Sequence, residues 1–221
     1  MAINHAVERR VLNLADAQPA WIDSSGLASH GHVYALREAT GPSASRDLAD
    51  AVHLLCSLYG GHPGLVELAL RQCPAGPVRE WMSTAADAFE RERLFLLRLT
   101  AAVGPMPSTP GSAQTESTLS GQRRAVKALA VSERRGCALG ATTALVTDWS
   151  SVRSVLAQAA ARTGIEIPPS SLPDRADVAR ILDGLAGDPA AERASTFGAE
   201  QLLLQNRGLF DLLEARASAR A

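Results

Sequence analysis

Lysine is almost missing from this chain. Lys127 stands alone among 22 basic residues, all the others being arginine, a bias that codon usage in a GC-rich genome explains. An arginine-built phosphate or nucleic-acid site would be the other reading. The formal net charge of −1 argues against it, because nucleic-acid binders need a basic surplus to displace counterions. Aromatic residues are scarce too, at 4%, so the core must be built from Leu, Val and Ala. Leu and Ala are strong helix formers. Cysteine occurs three times, at Cys56, Cys73 and Cys137, without Cys-x-x-Cys spacing. That excludes a disulfide framework and fits a reducing compartment. No run approaches 18 apolar residues, and Met1 to Arg10 has no apolar centre of the export-signal type. No membrane span is expected, and a cytoplasmic location is.

Strand patterns are missing as well, since no period-two alternation lasts more than four residues. What is present has helical period. With 221 residues, 46% hydrophobic and 20% charged, the chain can bury one sizeable core. The expectation is a single-domain, all-α bundle over residues 1–221, with four or five long helices and shorter flanking ones.

Ile3, Val7, Val11 and Leu14 mark a first helix over 3–17, ended by Pro19. Leu27 to Glu38 has weaker helical character. Gly41 to Ser45 is a linker and cap, after which Leu48, Ala51, Val52, Leu55 and Tyr59 mark a buried stripe. Pro63 opens a short apolar helix through Gln72. Residues 78–103 form a long helix with Trp81, Ala85, Phe89, Leu96 and Leu99 on one side. Residues 104–111, with three prolines, and 165–174 are connectors. Between them Ser112 to Gly164 contains no proline and reads almost throughout as helix, with a bend expected near Thr147 to Ser150. Helices near 175–186 and 190–217 follow, and they are expected to pack on the bundle because two helices cannot bury their own apolar faces.

Several polar residues fall on apolar stripes. Glu92 lies among Ala85, Phe89, Leu96 and Leu99. Glu133 lies in line with Val126, Leu129, Cys137, Gly140 and Ala144, and Asp148 continues that line if the helix is unbroken. Carboxylates on facing helices can hold metal or run acid–base chemistry. They can equally end in ion pairs, with arginines such as Arg91, Arg93, Arg98, Arg134 and Arg135 close by, and Asp148 can be a helix cap. Helices adjacent in sequence usually pack antiparallel, which sets Glu92 and Glu133 at heights differing by roughly 15 Å.

Size and helix order loosely resemble the ferritin-like class. That class needs two Glu-x-x-His motifs, and none of His5, His30, His32, His53 and His62 has Glu three residues before it. The nearest match, Asp50-x-x-His53, falls away from the Leu48/Val52/Leu55 stripe. His30-Gly-His32 can chelate only if extended. No metal and no cofactor is expected. Cys137 sits among small apolar residues, where a thiol is inert. A nucleophile elbow and a phosphate-binding glycine loop are both missing. Gly136 and Gly140 lie one turn apart in a helical context, where each glycine costs about 1 kcal/mol against alanine. A close helix crossing or a pocket floor would compensate.

The leading expectation is a non-catalytic cytoplasmic protein that works through protein contacts, a homodimer with an unidentified protein partner and no nucleic-acid or membrane role. The alternative is a ligand-binding or enzymatic bundle with a pocket of Glu92, Glu133, Cys137, Asp148 and Trp149.

Overall fold

The structure, a computed structural model, describes residues 13–220. Among these residues there are nine α-helices, one 3-10 turn and no strand. The helices are α1 (Leu14–Ser25), α2 (Gly31–Arg37), α3 (Pro42–Tyr59), α4 (Leu65–Gln72), α5 (Pro77–Ala102), α6 (Ser112–Ala130), α7 (Cys137–Thr163), α8 (Arg175–Asp183) and α9 (Pro189–Ser218); the 3-10 turn is Leu27–Ser29. The protein is all-α. One apolar cluster runs from Ala15 to Leu213 and takes side chains from every one of these helices.

Two helices form the spine. α7 is covered on almost all sides, with every residue from Leu139 to Val146 buried, because α3, α5, α6 and α9 all pack on it. α9 is its principal partner. The crossing is close: a Cβ built on Gly140 would stand 1.9 Å from the Ser195 carbonyl oxygen, and one on Gly198 would stand 2.1 Å from that of Cys137. Glycine on both helices lets the two backbones meet at that point.

Four expectations are corrected here. Part of the 3–17 helix lies outside the described residues, and α1 runs through Pro19 instead of stopping before it. The described helix starts at Leu14 under an Asn13 cap, whose Oδ1 accepts from the Asp16 N–H at 2.8 Å. Pro19 then falls in the second turn and removes only the bond to the Ala15 carbonyl. The break in the Ser112–Gly164 segment comes at 131–136, not near Asp148. Gly136 adopts a left-handed φ of +95°, which side chains other than glycine's resist, and the polar run Ser132 to Arg135 bridges the two helices. The α4 helix starts at Leu65, two residues beyond Pro63. Finally, among the described residues α5 and α6 do not pack on each other, since α3, α4 and α7 take the faces they would share. The nine residues 103–111 between α5 and α6 are long enough to carry the chain past a neighbour.

Candidate functional site

Trp149 and Asp148 are consecutive on α7, so their side chains leave the helix about 100° apart. Trp149 turns to α5, where its Nε1–H donates to Glu92 Oε2 at 3.0 Å. Glu92 is 2% exposed, as its place on the apolar stripe implies. Its cation comes from across the bundle: Arg153 Nη1 donates to both Glu92 oxygens, one at 2.6 Å, and Arg153 Nη2 donates to the Pro168 carbonyl at 2.6 Å. Arg91 turns away to Ser171, and Arg93 pairs with Glu90. An arginine one turn farther along α7 than Trp149 therefore caps the carboxylate and ties the 165–174 connector down over it.

Asp148 is a mid-helix residue and not a cap. Its Oδ1 accepts from the Leu27 backbone N–H and its Oδ2 from Asn206 Nδ2, both at 2.8 Å. Asn206 Oδ1 in turn accepts from the Tyr59 hydroxyl. Tyr59, Phe89 and Trp149 pack edge to face at 4.7–6.3 Å between ring centres, which joins the Glu92 and Asp148 groups into one interior network. Burial holds the Asp148 carboxyl above its ordinary range, against the lowering effect of Asn206 and Leu27. Burial, reinforced by Asp148, also drives the Tyr59 phenol far up.

A raised carboxyl pKa gives a definite sign. The native state holds the Asp148 proton more tightly than the unfolded chain does, so stability falls as pH rises from near 3.8 through the native value. Asp148→Asn keeps one acceptor for Leu27 and removes the titration. Its melting temperature should gain on that of the native chain as pH rises from 4 to 8. A constant difference between the two across that range would show that Asp148 does not titrate as its surroundings require.

A third buried acid, Asp50, was placed away from the α3 stripe by helical angle and is in fact fully buried. Arg216 Nε and Nη2 bind its two oxygens at 2.8–3.2 Å, and Arg220 Nη1 adds a bond at 2.5 Å. α9 covers that side of α3 and brings Arg216, with Arg220 just past its C-terminus, a contact that no local period announces. His53, the other half of the Asp-x-x-His pair, bonds the Gly104 carbonyl at 2.8 Å.

The remaining sequence candidates lie elsewhere. Glu133 is exposed in the 131–136 connector, because the helix that would have carried it inward ends at Ala130. Cys137 is buried at the first turn of α7 against Gly198, some twelve residues or about 18 Å along the axis from Trp149. Gly136 caps that turn. The structure thus brings Glu92, Trp149 and Asp148 together and leaves Glu133 and Cys137 apart from them. Sequence reading missed Asp50, Arg153, Asn206 and Tyr59 as members of the interior polar set. His30 and His32 do not chelate: His30 Nδ1 accepts from the His32 N–H at 3.2 Å, and its Nε2 meets Asp211 at 3.1 Å.

Residues 22–221 match a family described as "Family of unknown function (DUF6975)". The chain belongs to that family. No curated protein and no solved structure matches it.

In this DUF6975 chain, one group of metal-ligating type gathers among the described residues. His62, Glu67 and Glu90 place their donor atoms within 4.8 Å of one another. Each is already engaged: Glu67 Oε2 accepts from the Gly64 N–H at 3.0 Å, His62 Nδ1 lies 3.7 Å from Glu67 Oε1, and Arg93 closes on Glu90. A cation would have to displace Arg93 to complete the group. Elemental analysis of purified protein is therefore expected to find no stoichiometric iron, manganese or zinc, and one ion per chain that is lost in Glu67→Gln would refute this.

Five surface clefts hold about 290–400 Å³ each, and none is lined by Glu92, Asp148 or Trp149. One of about 370 Å³ has Met82, Leu139 and Leu185 in its floor, with Cys73 and Glu133 on its walls. Burial pushes the Cys73 thiol up despite Arg79 nearby, which makes it a poor nucleophile.

Proposed function

We propose that this protein is a non-catalytic, cytoplasmic helical scaffold that works through protein contacts, as a homodimer. One observation supports the reading above the others: among the described residues, the buried carboxylates Asp50, Glu92 and Asp148 are each occupied by the fold. Glu92 ends on Arg153 and Trp149, Asp50 on Arg216 and Arg220, and Asp148 on Leu27 and Asn206. A general acid or base must reach a substrate proton, and arginine fills that position at Glu92. The small-molecule reading keeps the cleft with Glu133 on its wall and the one that Cys137 lines, both within the size range of ligand sites. The Glu133 carboxylate is isolated from the other candidate acids.

Two measurements separate these readings. Light scattering on the full chain should give the mass of two chains, whereas a monomer at about 100 μM would remove the homodimer. A metabolite panel should leave the melting temperature unchanged. A ligand present at 100 times its Kd adds about 2.7 kcal/mol of stability, so a shift of several degrees that disappears in Glu133→Ala would favour the ligand-binding bundle.

A further inference from the structure

Along one face of α9 no other helix covers the middle of a line of side chains, although Arg134 lies over the Phe197 ring at 5.6 Å and Asp211 pairs with His30. Ala194, Phe197, Gln201, Leu204, Gly208 and Asp211 follow one another at alternating steps of three and four, the spacing that keeps a line of side chains straight along a paired helix. They are exposed or half-buried, and the two large apolar members stand well out, Phe197 at 41% and Leu204 at 58% exposure. Beside this line runs a second one: Arg193, Glu200, Arg207 and Glu214, seven residues apart and alternating in sign. Arg207 is held in place there by its Nη1 bonds to the Ser25 and Gly26 carbonyls.

An alternating row with an even number of members is complementary to itself when reversed. Laid antiparallel, α9 and a second α9 put Glu200 opposite Arg207 and Arg193 opposite Glu214, each twice by symmetry. The same register sets Gln201 against Leu204, and the Phe197 ring against the Gly208 backbone, beside the Gln122 amide that lies 3.2 Å from where a Gly208 Cβ would stand. Leu204 of the second copy then comes over the cleft of about 320 Å³ between α6 and α9, lined by Ala125, Ala128 and Gln201. A parallel pairing would set the charged row against Ala191, Gly198, Gln205 and Leu212, with no cation–anion match. Arg193 to Glu214 spans about 32 Å of helix. We infer that two copies of this chain pair through antiparallel α9 helices, with Phe197 and Leu204 as the apolar contacts and the alternating charged row setting the register.

The inference rests on the homodimer reading above, and the test distinguishes the two. Sedimentation equilibrium of the full chain from about 1 to 100 μM should show a dimer. Leu204→Glu, at a site open to solvent, should weaken it about 100-fold or more with the helical circular dichroism unchanged. Arg193→Glu and Glu214→Arg should each weaken it about tenfold, and the double variant should return to near the native value, because opposite charges again face each other. These two exposed positions also serve if Leu204→Glu fails to fold. A native dimer indifferent to all three changes would overturn the α9 interface and leave the homodimer standing. Weakening by both single changes without recovery in the double would overturn the antiparallel register. A native monomer at 100 μM would overturn both readings.

Discussion

Asp50→Ala is expected to destabilise the fold by about 3–5 kcal/mol, because it strands buried cations. Asp50 is fully buried and Arg216 is 4% exposed. Arg216 Nη1 also reaches Thr115 Oγ1 at 3.1 Å, while Arg220 reaches Thr109 Oγ1 at 2.8 Å and Asp47 at 2.9 Å. One carboxylate thus organises α3, α6, the end of α9 and the proline-rich connector before α6. Without it two guanidinium groups lose their main counter-charge in an interior that water enters poorly. Equilibrium urea unfolding measures the loss, and a change under 1 kcal/mol would show that the cations swing out to solvent. Replacing Asp50 and Arg216 together by apolar residues should cost less than Asp50→Ala alone, since no buried charge then lacks a partner. High salt should alter the native stability little through this cluster, because buried pairs are weakly screened.

Gly140→Leu is expected to cost at least about 3 kcal/mol or to leave the chain insoluble. The obstruction is backbone, not a movable side chain: the Ser195 carbonyl lies 1.9 Å from where a Cβ would be. α7 and α9 must separate along their principal contact to admit even a methyl group, so Gly140→Ala should also destabilise. Gly121 of α6 provides the control. Nothing stands within 4 Å of a Cβ there, and Gly121→Ala should stabilise by about 0.5–1 kcal/mol through helix propensity. Thermal unfolding of the pair tests the argument. If Gly140→Ala melts at or above the native temperature, the helices are not in contact at that point.

The positions of these glycines and acids were legible to different degrees. Glu92 could be placed inside from its spacing with Phe89 and Leu96, and Gly140 could be singled out because glycine in a helix needs a compensating contact. Glu133 was misplaced for a local reason: its spacing fits the α7 stripe, but the helix stops short of it where Gly136 turns left-handed. Asp50 was misplaced for a non-local one. Its helical angle is off the apolar stripe, and it is buried because α9 lies on that side and carries arginine.

The sequence by itself determined the all-α class, the spans of α5 and α9 and the connectors at 104–111 and 165–174, but not the break between α6 and α7. Apolar period and the placement of proline and glycine act within a few residues and need no partner. The tertiary structure decided which charges pair. Glu92 meets Arg153 across 61 residues, Asp148 meets Asn206 across 58, and Asp50 meets Arg216 across 166. Such partners are chosen when helices dock, because an ion pair needs its groups within a few ångströms in three dimensions, and a repeating pattern along one helix holds no information about what the neighbouring helix brings.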